Sequence, residues 1–383
     1  MLTINPETCS ACFACRNICP KDAISSTQDA NGFLIPAINS RLCVSCGRCE
    51  RVCSAEGSSQ FTPSQCARLF IHGNKDVLRH STSGGAFSAI SGVVLTDGGA
   101  VIGALMTDDF TIKHEIATSF EQRDHMRGSL YAQSDVGLIY REVQALLTSG
   151  RRVLFVGTPC QVAGLQSYLG RSYENLVLVD FLCHGVPSVS FFREHIKWLE
   201  ERYGRRAIGY TFRSKRFGWQ HGIEEIEFSD GTRKSNLSVQ TYNHFFHRNI
   251  SLRASCLSCR YRRVERSSDL TIGDFWDVKR ILGERCIRGA SLILVNTERG
   301  ERVLEEIAPL GRLVEAPLVQ VQARIARSPL SVKGDREAFW RDYRELGYAG
   351  LIARWVKRSR KRAVRYYTGR WFKRILGILF GVK

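Results

Sequence analysis

The chain has 383 residues, 44% of them hydrophobic and 24% charged, which is ample for two or three packed domains. Its formal charge of +18 is unevenly spread: Arg354 to Lys383 supplies +11 with no Asp or Glu, and the rest of the chain carries a mild +7. No window approaches the roughly 20 apolar residues of a membrane span, Met1–Pro6 has no signal-peptide pattern, and fourteen cysteines argue for a reducing compartment, so the expected location is the cytoplasm or the inner face of a membrane.

The first sixty residues carry one cysteine run twice. Cys9, Cys12, Cys15 and Cys19 follow C-x2-C-x2-C-x3-C with Pro20 next, and Cys43, Cys46, Cys49 and Cys53 repeat the spacing with Ser54 in place of proline. This is the ligand pattern of two [4Fe–4S] clusters, in which the fourth cysteine of each run serves the other cluster. The expected sets are therefore Cys9, Cys12, Cys15 and Cys53, and Cys43, Cys46, Cys49 and Cys19. Small residues inside the loops (Ser10, Ala11, Ala14, Ser45, Gly47) leave room for sulfide and for backbone N–H groups. Disulfides would need an oxidising compartment, and zinc prefers C-x2-C pairs further apart. Residues 1–60 thus read as a dicluster ferredoxin-type domain, and the polar stretch Glu56–Pro63 as a linker.

The reading beyond the linker is α/β, α+β overall. Residues 64–148 hold strands at Arg68–His72, Ala100–Met106 and Thr111–Ala117, and helices at Ser88–Thr96 and Ser134–Thr148. Residues 150–315 open with strand, turn, helix, strand over Arg152–Val156, Thr158–Tyr168 and Leu176–Phe181, the signature of a parallel unit in a mixed sheet. An amphipathic helix follows at Ser188–Tyr203. Antiparallel strands are expected at Ile223–Phe228 and Lys234–Val239, further strands at Leu270–Gly273 and Ser291–Val295, and a helix at Glu298–Ile307. From about 310 the pattern is helical, and 316–383 reads as a helical basic tail.

A second set of sites lies in this region. Ser83-Gly84-Gly85 precedes a helix, where glycine and the helix N-terminus suit phosphate, or form an ordinary capped turn. Cys160 and Cys183 each follow a buried strand, and Cys256 and Cys259 form a C-x2-C among basic residues. If the two strands are neighbours, their ends converge and the four thiols can meet. They would then hold a third cluster or a zinc ion; otherwise they are small buried side chains. Cys66 and Cys286 lack partners at ligand spacing and read as structural. His184, at a strand end beside Cys183, is either a proton donor or a hydrogen-bonded bystander. Arg213, Lys215 and Arg216 form a basic loop that is solvated or holds an anion.

Seven stretches, STSGGAF at Ser81, GSLYAQS at Gly128, VGTPCQVAGL at Val156, DFLCHGVPS at Asp180, TFRSKRFGW at Thr211, SCLSCRY at Ser255 and DLTIGDFW at Asp269, run in one order over about 80–300. In them the chain resembles the beta-subunit family of coenzyme F420 hydrogenases and dehydrogenases, whose relatives include chlorophyll-cycle reductases and bacterial members that accompany polysaccharide synthesis. The resemblance implies FAD in the central domain, with Ser83, Gly84 and Gly85 at its phosphates and Gly128, Ser129, Tyr131, Gln133 and Ser134 lining its site. It also implies a [4Fe–4S] cluster on Cys160, Cys183, Cys256 and Cys259. Asp274 and Trp276 match the GDFW stretch without a readable role. The implied function is an iron–sulfur flavoprotein oxidoreductase, with reduced ferredoxin or another redox protein as its partner, electron flow allowed in either direction, and a glycan-pathway intermediate as its substrate class. The competing reading is an electron-transfer adaptor with no small substrate of its own.

In the tail, Trp355, Tyr366, Tyr367, Trp371 and Phe372 interleave with basic residues ahead of Ile375, Leu376, Ile378, Leu379 and Phe380. This composition suits an interfacial helix on anionic lipid, each cation contributing about 1 kcal/mol. Basic charge also attracts nucleic acid, but no nucleic-acid module appears in the pattern.

Overall fold

The two cysteine loops take the same backbone shape. The computed structural model describes residues 4–56, 61–284, 286–325 and 330–356. Equivalent positions of the two runs are left-handed: Ala11 and Ser45 at φ 51°, and Phe13 and Gly47 at 56° and 69°. Non-glycine residues rarely stay there unless their surroundings demand it. Between the loops β1 (Ile24–Gln28) pairs antiparallel with β2 (Leu34–Ile38), with Pro36 opposite Ser26.

The chain then builds β3 (Cys66–His72), β4 (Ala100–Met106), β5 (Ile112–Ala117), β6 (Val153–Val156) and β7 (Leu176–Phe181). Next come β8 (Ala207–Ser214), β9 (Ile223–Phe228) and β10 (Arg233–Lys234), which form a separate antiparallel sheet. Last are β11 (Leu270–Asp274), β12 (Ser291–Val295) and β13 (Gly311–Ala316). The main sheet has eight strands in the order β13-β3-β12-β11-β7-β6-β4-β5. Its centre, β11-β7-β6-β4, is parallel, and its flanks are antiparallel. The carboxyl ends of the four parallel strands therefore share one edge, the usual place for ligand chemistry in such sheets.

Alternation along the strands sorts the core. Val101, Leu154, Val177 and Val179 face the helices Ala86–Thr96 and Glu298–Ile307, while Ile102, Val153, Phe155, Leu176 and Leu178 face Ile139–Thr148 and Pro159–Leu169. The N-terminal module packs on this second face through Phe13 and Leu34. A third, aromatic core joins helix Val189–Tyr203, the small sheet and helix Arg336–Trp355 around Phe191, Phe192, Tyr242 and Phe339.

Three expectations are corrected. The segment Gly311–Ala316 is not helical; it is an edge strand along β3, since Leu313 packs on one face of the sheet and Val314 and Ala316 on the other, with Arg312 and Glu315 exposed. The strand expected at Lys234–Val239 ends at Lys234, because the Asn236 carboxamide accepts the Ser238 N–H and turns the chain into helix Thr241–Phe246. The helix expected from Ser134 begins at Ile139. Helices Leu318–Ile325 and Arg336–Trp355 occupy the start of the expected tail. The basic segment 357–383 lies outside the described residues. Among the described residues no helix is long and apolar enough to cross a membrane.

Candidate metal and electron-transfer centres

In the N-terminal module, burial raises the Cys15 thiol strongly, and Cys12, Cys9 and Cys53 raise it further by proximity. Those four side chains therefore sit together. A separate cavity is lined by Cys19, Cys43, Cys46 and Cys49 together with Ala23, Ile24 and Ile38. The structure thus brings Cys9, Cys12, Cys15 and Cys53 together in one place, and Cys19, Cys43, Cys46 and Cys49 in another. Cys12 lies 3.4 Å from the Ser54 hydroxyl, and the Ala23 N–H donates to Cys19 Sγ at 3.3 Å. Backbone and hydroxyl donors of this kind stabilise thiolate sulfur and tune its potential.

The sheet edge gathers the second set. Strands β6 and β7 are hydrogen-bonded neighbours, so Cys160 and Cys183 leave the sheet side by side. Thr158 caps helix Pro159–Leu169, with Gln161 closing a capping box, and this fixes Cys160 in the first turn. Loop 253–259 reaches the edge because the Arg253 N–H donates to Val186 O at 2.9 Å. A side chain on Gly185 would meet Cys256 Cβ at 3.2 Å, so that glycine gives the loop room. Burial pushes Cys183 up to about 12 and Cys256 up to about 11, and it raises Cys160 and Cys259 as well. After burial, Cys160 is raised by Cys259, Cys183 and Cys256, so the four thiols are mutual neighbours. Buried thiols at such values bear protons, which a metal would displace on binding. Among the described residues no group of three or more His, Cys, Asp or Glu is drawn in around a single ion.

A buried ion pair underlies the edge. Arg266 donates to Asp180 at 3.0 Å and to Thr271 Oγ1 at 3.1 Å, and its charge lowers the Cys183 and Cys259 thiols. Burial raises the Asp180 carboxyl and Arg266 opposes it. The sequence reading missed this pair; its signal is Asp180 ending an otherwise apolar strand.

The module and the edge meet on helix Pro159–Leu169. Gly164, one turn after Cys160, has no side chain because Cys12 occupies the space: a Cβ there would lie 2.8 Å from Cys12 Cβ and 2.9 Å from its Sγ. The fully buried Tyr140 hydroxyl donates to Gln161 O at 2.9 Å and lies in the electrostatic reach of both Cys12 and Cys160.

The residues expected around a flavin fall into two groups. Ser83 donates to Ala290 O at 2.7 Å; the Gly84 and Ala86 N–H groups both donate to Ser291 Oγ. A Cβ on Gly84 would strike Phe70 O at 2.3 Å, so close packing between β3 and β12 accounts for that glycine. Gly85 is left-handed at φ 87° and starts helix Ala86–Thr96. Gly128 approaches the same loop at Thr82. Tyr131 stacks on Phe246 with centroids 4.8 Å apart, and its hydroxyl neighbours Arg213 and Ser129. By contrast, Gln133 spends its carboxamide on the module, accepting the Leu34 N–H at 2.9 Å and donating to Leu34 O. Ser134 accepts from Gln161 Nε2 at 2.9 Å, behind Cys160.

The basic loop is committed internally. Arg213 pairs with Asp274 and lies over Trp276, which stacks on Trp219 at 4.8 Å. Lys215 donates to Leu78 O, Ser83 O and Arg288 O at 2.6–2.8 Å, and burial lowers it to about 8. Arg216 pairs with Glu225 at 3.0 Å. His184 bonds Asn249 at 2.7 Å, and burial lowers its pKa. Cys66 contacts Glu301, and Cys286 donates to Gly289 O.

Residues 8–56 match a family model described as a 4Fe-4S dicluster domain, and residues 150–321 match one described as the C terminus of the coenzyme F420 hydrogenase/dehydrogenase beta subunit. No curated protein matches the chain. A chain of the F420-reducing [NiFe] hydrogenase complex from Methanosarcina barkeri, solved as a xenon derivative, is 15% identical, with a TM-score of 0.43 over 76% of this chain and 89% of that one.

Proposed function

Since the chain joins a 4Fe-4S dicluster domain to the C-terminal region of the coenzyme F420 hydrogenase/dehydrogenase beta-subunit family, its role is oxidoreductive, and we propose that it couples one-electron transfer through three [4Fe–4S] sites to two-electron chemistry at FAD. A flavin exchanges electrons in pairs and a cluster singly, so the two together convert between the currencies. One observation carries the reading: Cys12 of the module rests on Gly164, one helical turn from Cys160. Gly164 and Cys160 are separated by about 5.4 Å of helix axis, so one short length of helix Pro159–Leu169 touches both cysteine sets. Tyr140 and the apolar residues around it keep water out of this joint.

For the isoalloxazine we propose the wall of Tyr131, Phe246 and Ser129 on the shared sheet edge, with Gly128 beside it. Ser83, Gly84 and Gly85 serve this site by placing the loop; the N–H groups of Gly84 and Ala86 already have an acceptor in Ser291. Gln133 and Ser134 act as braces between the module, the Cys160 helix and this wall. The proposed donor is a reduced ferredoxin or a similar redox protein. The proposed substrate is a sugar or lipid-linked glycan intermediate, on the strength of the resemblance alone. The adaptor reading draws support from Arg213, Lys215 and Arg216, whose charges are all engaged within the chain. For segment 354–383 we propose contact with anionic membrane; unchanged pelleting with anionic vesicles after its deletion would refute that.

The test is anaerobic purification with iron, sulfide, zinc and flavin quantified per chain. About twelve irons and one FAD are expected, four irons per cubane. About eight irons with FAD would demote the sheet-edge cysteines. Loaded clusters without flavin, even after reconstitution, would leave the adaptor reading in place.

A further inference from the structure

The two cysteine sets of the module differ in exposure. Cys15 is buried, and Cys12 is covered by helix Pro159–Leu169. The cavity of Cys19, Cys43, Cys46 and Cys49 instead lies at the surface, between Pro20–Lys21 and Val44–Arg48. Cys46 itself is exposed. Beside it Leu42 and Val44 are 51% and 57% exposed, unusual for large apolar side chains. Around them stand Lys21, Arg41, Arg48 and Arg51, all exposed, against Glu50. The nearby Asp22 carboxylate is held by Arg141 at 2.7 Å. The module has no such excess overall, since its five Lys or Arg are matched by five Asp or Glu over residues 1–56. Its cations are thus concentrated where its cysteines are exposed.

The geometry points to loop 41–51, with Lys21, as the docking face for an acidic one-electron carrier protein. The inference rests on the dicluster reading of the module and is independent of the flavin. The apolar pair forms the desolvated centre of a small interface, and the basic rim selects and steers the partner. The carrier would give up one electron to the [4Fe–4S] cluster that Cys19, Cys43, Cys46 and Cys49 would hold, with no bond formed or broken. The buried set and the Cys160 helix then lie inward of the port, away from solvent oxidants.

The test follows reduction of the anaerobically loaded full chain by two donors, a strongly acidic [2Fe–2S] ferredoxin and the methyl viologen radical cation. Arg48→Glu with Arg51→Glu is compared with Arg360→Glu with Lys361→Glu in the tail, an equal change of charge. The loop variant is expected to slow ferredoxin about tenfold or more at low ionic strength, a gap that closes with salt, while the methyl viologen cation is not slowed. Leu42→Ser with Val44→Ser is expected to slow ferredoxin at every salt concentration. Equal slowing by loop and tail variants would overturn the port, because bulk charge would then be steering. So would equal slowing with both donors, or an unchanged ferredoxin rate. A wild-type chain with fewer than about eight irons would instead overturn the dicluster reading itself.

Discussion

The N-terminal module and the sheet edge both gather cysteines, by opposite routes. In the module each group draws three cysteines from one tight loop and one from the other run, and left-handed residues at equivalent positions give both loops one curl. At the edge, Cys160, Cys183 and the Cys256–Cys259 pair are far apart in sequence and meet only because β6 and β7 pair and a loop folds over their ends. The first arrangement is local and depends on its ligands; the second is inherited from a sheet that stands on its own core. Hydrophobic burial of about 1.5–3 kcal/mol for each large side chain, at Leu154, Phe155, Val177 and their neighbours, holds the edge together.

The largest effect that tests this contrast is ligand removal. Cys49→Ser is expected to lose about four irons and to loosen the module, seen as protease cleavage within residues 1–56. Cys160→Ser is expected to lose about as many irons while cleavage and melting of the body stay unchanged. If the edge variant also unfolds the body, the sheet does not stand alone and the contrast fails. Next in size is the ion pair beneath the edge. Asp180→Ala leaves Arg266 charged and buried, which costs about 3–5 kcal/mol, measurable by chemical unfolding. A loss under about 1 kcal/mol would mean that water or another group replaces the carboxylate.

These routes also decide what was legible. The module could be read from spacing because its ligands are contiguous, and the resemblance reached the edge site through short motifs in order. Strands β4, β6, β7 and β12 were readable because continuous Val, Ile and Leu runs mark strands buried on both faces. What escaped depends on partners distant in sequence. β13 looks helical until β3 is beside it. Gln133 carries no sign that its carboxamide clamps Leu34. Gly84 carries no sign in the sequence that Phe70 O and Ser291 N lie against it. Phe13 in a left-handed turn was hinted at only by Gly47 at the equivalent position.

The sheet body has a pH response of its own. His114, on β5, is buried against Phe155, and burial lowers its pKa to about 4. The unfolded chain, near 6.5, binds this proton first, so the contribution is full above about pH 6.5 and is lost as pH falls through about 4. Its size is about 3 kcal/mol from the shift. Burial lowers His195 to about 3 as well, so His114→Phe should reduce the loss of body stability over that window without abolishing it, followed by tryptophan fluorescence, since all six tryptophans lie outside the module. An unchanged acid limb would assign the loss to other groups.

The smallest change tests the joint between the two regions. At Gly164 even a methyl group would press on Cys12 at under 3 Å. Gly164→Ala should cost about 1–3 kcal/mol through overpacking, partly offset by alanine's better helix propensity of about 1 kcal/mol. The net loss of stability is therefore small, and the informative readout is kinetic. Iron content should hold and the module should still reduce at the wild-type rate, while reduction at the sheet edge lags. Gly164→Val should lengthen that lag. Normal arrival of electrons at the edge in both variants would separate the two regions functionally and move the path away from the Cys12 contact.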